Sequence, residues 1–257
     1  MANEENNKRI NVLIACEESQ RVCTEFRKLG FNAYSNDIIP CSGGHPEWHI
    51  KDNALSVIGG GTMHLQNGEW VDIPHWDLII AHPPCTYLTN SAVWLHSLTK
   101  TPENRIEGRT LERIDAMRFF MDMIRANSEH IAVENPVGIM NTAFRKPDQI
   151  IEPYMFAEST EDSENYVTKR TCLWLKNLPA LQTNDLPRPN NAELYGRNSK
   201  GKPLNFTEAH GKTPKQQSWA SHIRDSVLRS KTFPGIAKAF AEQWGKVLTT
   251  ARFEELN

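Results

Sequence analysis

An α/β fold around a mostly parallel sheet is what the sequence predicts, and three observations predict it. Short, continuously apolar runs alternate with stretches of helical spacing, as expected of strands buried on both faces and linked by crossover helices. Two of the runs stop abruptly at proline, which cannot continue a sheet ladder. Polar motifs stand directly after the runs, at the strand ends where open α/β sheets bind their ligands.

Residues 10–15 are the first strand, followed by a polar turn and a helix through Val22, Phe26 and Leu29 that Gly30 ends. Residues 31–35 read as the second strand, closing at Asn36-Asp37 and completing a β-α-β unit. Residues 77–81 are a strand broken by Pro83-Pro84, residues 111–126 have helical spacing, and residues 130–134 are a strand broken by Pro136. A later strand is expected over residues 171–175. The last helix is expected over residues 234–247, with Pro at its first turn and an apolar stripe of Ile236, Phe240 and Trp244 that packs back on the sheet.

The 257 residues suffice for one α/β domain with a modest insertion. Ser, Lys, Asn, Gly and Pro thicken from about residue 182, and residues 176–230 read as a loop-rich insertion within that single domain. At 39% hydrophobic and 23% charged residues the chain lies outside the disordered class. A net charge of −2 gives no general attraction to nucleic acid, so such binding needs a local basic surface. The stretch from Arg197 to Lys215, interleaved with Tyr195, Phe206 and Trp219, is the candidate, with an ordinary solvated loop as its alternative. The polar N-terminus reads as no secretory signal and no window reaches membrane-spanning length, so a cytoplasmic protein without a membrane partner is expected. Cys16, Cys23, Cys41, Cys85 and Cys172 show no C-x-x-C spacing, which points to free thiols rather than a metal site.

Two strand-end motifs carry the chemistry: His82-Pro83-Pro84-Cys85 after one buried strand and Glu134-Asn135-Pro136 after another. Together they resemble the C5-cytosine DNA methyltransferases, in particular the compact relatives found in phages. The resemblance implies a Rossmann-like methyltransferase fold with a mostly parallel central sheet, S-adenosylmethionine as cofactor, and DNA with a flipped cytosine as substrate. It makes Cys85 the nucleophile, Glu134 the carboxyl group that handles N3 of the base, and Asn135 the residue that fixes the Glu134 loop. C5 of cytosine is too weak a nucleophile to attack a sulfonium methyl until a thiolate has added at C6. The thiol must ionise, which a nearby cation such as Arg170 or His82 is expected to favour.

The glycine-rich turn usual after the first strand is replaced by Ala15-Cys16-Glu17-Glu18-Ser19. A cofactor without pyrophosphate tolerates acids there, and Glu17 or Glu18 is expected to accept a hydrogen bond from its ammonium group. A solvated helix start is the alternative. Cys16, Ser19 and Pro83 complete the turn side of the site. Asp37 stands where such folds hold ribose hydroxyls, with Ile38 beside it. Asp52 resembles the family's acid near the adenine amino group, or else caps the turn before Ala54-Leu55. Arg170, in Thr168-Lys169-Arg170-Thr171, resembles loosely the basic motif that holds the flipped nucleotide, with a solvated strand end as alternative. A long target-recognition region is absent, which leaves C5 chemistry on RNA or a free pyrimidine nucleotide open. Amino-group methyltransferases also use Pro-Pro after a strand but want Asp or Asn before it and an aromatic after, where this chain has His82 and Cys85, with Tyr87 two residues late.

Overall fold

The computed structural model describes residues 10–89, 103–204 and 230–255. Seven strands form one sheet: β1 (Asn11–Ala15), β2 (Asn32–Asp37), β3 (His49–Lys51), β6 (Leu78–Ala81), β7 (His130–Pro136), β8 (Gln149–Ile151) and β9 (Thr171–Lys176), in the order β3-β2-β1-β6-β7-β9-β8. The five from β3 to β7 run parallel, and β9 is antiparallel to both of its neighbours. This is the mostly parallel, Rossmann-like α/β architecture expected from the sequence. A separate antiparallel hairpin, β4 (Gly61–His64) with β5 (Trp70–Ile73), lies between β3 and β6 in the chain.

Alternation along the strands divides the core into two layers, because successive side chains point to opposite faces. Leu13, Ala15, Ile79, Ala81, Ile131 and Val133 pack on one face with Phe120 and Met123 of helix α2 (Glu103–Ile124). Val12, Ile14, Leu78, Ile80 and Ala132 pack on the other with Val22, Cys23 and Phe26 of helix α1 (Arg21–Lys28), and with Ile236 and Ala237 of helix α3 (Pro234–Ala239). All of β6 is fully buried. Removing one such Leu or Ile side chain from water contributes about 1.5–3 kcal/mol, which explains why these runs carry almost no polar residue.

The expected final helix is longer than its apolar stripe indicated. Helix α3 passes through a π-helical turn, Phe240–Trp244, into helix α4 (Gly245–Glu255). The stripe faces inward as expected, with Phe240 stacked on Trp244 at a centroid distance of 4.4 Å and the indole N–H donating to the Pro179 carbonyl at 3.0 Å. Strands β3 and β8 have three residues each and offer too few positions for an apolar period to register. The hairpin did have a local signal in Asn67-Gly68: the Gly68 N–H bonds the Leu65 carbonyl and Gly68 takes the left-handed conformation, φ 97°.

The sheet order reverses at β1, whose neighbours β2 and β6 are reached in opposite directions along the sheet. A crevice opens at the carboxyl ends of the strands at such a switch point. The turn after β1 and the motif after β6 therefore flank one cleft. Among the described residues no helix is long and apolar enough to cross a membrane.

Candidate active site

Strands β6 and β7 are hydrogen-bonded neighbours, with Ala81 opposite Val133, so His82-Pro83-Pro84-Cys85 leaves the sheet beside Glu134-Asn135-Pro136, which stays in β7 and pairs with Leu173, Cys172 and Thr171 of β9; Pro136, expected to break that strand, is its last residue. Three contacts join them. The Asn135 side-chain amide donates to the Pro83 carbonyl at 2.7 Å with both residues buried. His82 Nδ1 lies 3.1 Å from Glu134 Oε2. Beyond Cys85, the Ile139 N–H donates to the Leu88 carbonyl at 2.8 Å, and Gly138 packs so tightly there that a Cβ would collide with that same oxygen.

Cys85 is partly exposed, and its thiol is held above the ordinary value by burial first and by the Glu134 charge second, with Lys169 acting in the opposite direction. This corrects the sequence-based expectation of an acidified thiol beside Arg170 or His82. The cation at Cys85 is Lys169. Arg170 is exposed, and its charge is felt instead by Cys172. Lys169 and Arg170 form the segment just before β9, and each acts on a different thiol, Cys85 and Cys172 respectively. The segment reaches the site because β9 is antiparallel: Thr171 pairs with Pro136, which sets its start beside the end of β7.

At the other side of the cleft the β1 turn is left-handed at Cys16 (φ 61°) and Gln20 (φ 57°), conformations that glycine adopts freely and other residues uncommonly. The turn thus keeps its special backbone without the glycines. Its two glutamates, equivalent in sequence, are separated by the fold. Glu17 is buried and accepts from the Val22 and Cys23 N–H groups at 2.7 and 3.2 Å, closing the start of α1. Burial raises its pKa, against an opposing influence of neighbouring His82 and of those hydrogen bonds. Glu18 instead keeps a buried Oε1 that makes no hydrogen bond, with the Lys231 ammonium 4.0 Å away. Ser19 is buried, its carbonyl against Gly43, where a Cβ would approach to 2.7 Å.

Asp37 ends β2 half-buried; desolvation raises its pKa, partly offset by the N–H groups of Ile39 and Ile38, while the Glu18 charge adds to the rise. Its charge, after burial, helps lift the Cys16 thiol to about 12, so Cys16, Glu18 and Asp37 form one electrostatic cluster in which Cys16 is no thiolate. Ile38 projects beside it, 71% exposed. Asp52 is exposed in the bend just past β3, where its Oδ1 accepts from the Asn53 N–H at 2.6 Å; the N-cap of the following helical turn is Asn53, which accepts from the Leu55 N–H at 3.0 Å. Asp52 sits on the rim of a cavity of about 470 Å³ lined also by Lys51, His64, Gln66 and Trp70. Pro83 is buried between the two sides.

Lys231 and Thr232 connect the two halves of the cleft. They line a small pocket with Glu134, Lys169 and Thr171, while Lys231 also bonds Ser42 Oγ at 3.0 Å and the Thr232 carbonyl accepts from Arg21 at 2.7 Å. Nothing local in the sequence marks Lys231; it arrives because α3 is anchored on the sheet. His82 and Lys169 lay inside recognised motifs, but only the fold shows what they face. Of the basic stretch, Arg197 donates to the Gly201 carbonyl at 2.8 Å, and Phe206, Lys215 and Trp219 lie outside the described residues. Tyr87 is hydrogen-bonded through its hydroxyl to Glu112 of α2.

No family model matches the chain, and no curated protein matches it. Among solved structures it is similar to an Entamoeba histolytica methyltransferase, EhMeth, at 14% identity and a TM-score of 0.38, over 74% of this chain and 61% of that one.

Proposed function

We propose that the protein transfers a methyl group from S-adenosylmethionine to C5 of cytosine in DNA through a covalent bond between Cys85 and C6. The observation that carries this reading is the union of the two motifs: Cys85 and Glu134 are close enough for the Glu134 charge to act on the thiol, and Asn135, in β7 beside Glu134, bonds the loop that carries Cys85. Neither an apolar cysteine nor a strand-end glutamate needs such a partner.

The turn side fits the cofactor on its own terms. Glu18 Oε1, which makes no hydrogen bond and has the Lys231 ammonium 4.0 Å away, suits a second ammonium group, the Asp37 carboxylate suits vicinal hydroxyls, and exposed Ile38 offers an apolar surface to a ring beside them. Bound there, S-adenosylmethionine supplies an electrophilic methyl. Cys85 loses its proton to solvent and its sulfur adds to C6, while Glu134 gives a proton to N3, leaving C5 as the electron-rich carbon that takes the methyl. The C5 hydrogen then leaves as a proton, the C5–C6 double bond reforms, the C6–S bond breaks, and N3 returns its proton to Glu134. The raised thiol has a place in this sequence. A protonated Glu134 no longer repels a sulfur anion, so the state that serves N3 also eases ionisation of Cys85.

Trapping tests the proposal. A base that has been flipped out and attacked at C6 is released only by loss of the C5 hydrogen, so fluorine at C5 holds the adduct. Incubated with S-adenosylmethionine and DNA containing 5-fluorocytosine, the wild type should give a band shifted on a denaturing gel, and Cys85→Ser should give none and no turnover. Methylation of cytosine at C5 without any shifted band, or a fully active serine variant, overturns the mechanism.

A further inference from the structure

We propose that His82 determines which oxygen of Glu134 carries the proton, and thereby makes the site read a 4-aminopyrimidine in preference to a 4-oxopyrimidine. The inference rests on the function proposed above and adds a positioning residue to it.

The geometry leaves His82 little choice. It follows β6 directly and its backbone N–H donates to the Ala15 carbonyl at 3.0 Å, so the main chain that carries the ring is part of the sheet edge. The side chain is 11% exposed and Glu134 is 22% exposed, with Nδ1 and Oε2 3.1 Å apart. The other ring nitrogen, Nε2, is buried and makes no hydrogen bond. Glu17, to which the ring is also electrostatically coupled, has both oxygens engaged by the N–H groups of α1.

This asymmetry assigns the tautomer. A buried N–H without an acceptor is among the rarest defects in folded proteins, whereas an under-used acceptor is better tolerated. Nε2 is therefore the lone-pair nitrogen and the ring proton sits on Nδ1, from which it is donated to Glu134 Oε2. An oxygen that already accepts this hydrogen bond is the carbonyl-like oxygen of a protonated carboxyl. The acid proton is then on Oε1.

A carboxyl group fixed in that form presents one donor and one acceptor in a set order. N3 of cytosine accepts from the Oε1 hydroxyl, and the neighbouring exocyclic amine donates to Oε2. Uracil and thymine present the reverse, an N3–H donor beside an O4 acceptor. To meet them the carboxyl must place its proton on Oε2, against the Nδ1–H of His82. Sites built on paired polar groups discriminate strongly because the wrong partner leaves buried groups unsatisfied.

The test compares the wild type with His82→Leu, His82→Asn and His82→Gln. An Asn amide nitrogen stands near the place of Nδ1, whereas a Gln amide reaches toward the place of Nε2. Methyl transfer from labelled S-adenosylmethionine is measured on duplexes with cytosine or uracil at the same position, and cofactor affinity by calorimetry reports the integrity of the fold. The wild type should favour cytosine by roughly a hundredfold or more. The Leu and Gln variants should bind cofactor normally, lose at least about tenfold in rate on cytosine and narrow the preference by at least about tenfold, and the Asn variant should restore both. A Leu or Gln variant that keeps the wild-type preference, or a cofactor-binding Asn variant that behaves like Gln, overturns the assignment. If the wild type methylates no cytosine at C5, the failure belongs to the functional reading, and this inference falls with it.

Discussion

Asn135→Ala isolates the contact by which β7 holds the loop that carries Cys85. Asn135 is 2% exposed and its amide donates at 2.7 Å to the carbonyl of Pro83, itself a buried residue. The alanine variant leaves that oxygen in a place water reaches poorly, and abandoning a buried acceptor costs about 1–3 kcal/mol. For a domain of this size each kcal/mol lowers Tm by about 2–4 °C, so unfolding followed by circular dichroism should move down by roughly 2–12 °C. Activity should fall further than stability explains. Pro83 lies two residues before Cys85, and misplacing a reacting group by about 1 Å costs on the order of a hundredfold in rate. At a temperature where the variant is fully folded, S-adenosylmethionine should still bind while turnover drops at least about tenfold. A variant that unfolds with the wild type and keeps its full rate shows that the loop is held by something else, and the argument that Asn135 positions Cys85 fails.

Alkylation of Cys85 should follow from the direction of its pKa: with the thiol held above its ordinary value of 9.0 by burial and by Glu134, labelling by iodoacetamide should be slow at pH 7 and accelerate as pH rises past 9. Glu134→Gln removes the repelling charge and should speed labelling at pH 8, whereas Lys169→Met should slow it, both read by peptide mass spectrometry; rapid labelling of the wild type at pH 7 would contradict the site electrostatics. Asp37→Ala should weaken S-adenosylmethionine by at least about tenfold, since a charge-assisted hydrogen bond contributes about 1.5–3 kcal/mol, and an unchanged calorimetric affinity removes Asp37 from the cofactor site.

The sequence by itself determined the parallel core. Continuous apolar runs such as residues 78–81 have one stable destination, a strand covered on both faces; Pro83-Pro84 lies just past the end of β6, whereas Pro136 is still paired as the last residue of β7. The Cys85 and Glu134 motifs were legible for the same reason, since one follows β6 directly and the other is the end of β7 itself, although the sequence placed Glu134-Asn135 after the strand and not within it. Tertiary structure decided what those residues face. Glu17 and Glu18 are adjacent and chemically alike, yet one accepts from the first N–H groups of α1 and the other keeps a buried oxygen that makes no hydrogen bond and lies 4.0 Å from the Lys231 ammonium. Lys169 rather than Arg170 reaches Cys85 because β9 runs against its neighbours, and Lys231 enters the cleft from 62 positions further along the chain because α3 packs on the sheet. Apolar periodicity is a short-range property of the chain and is written in consecutive residues. The direction of a charged side chain is fixed by strand pairing and helix packing among residues far apart, and no window of sequence contains that information.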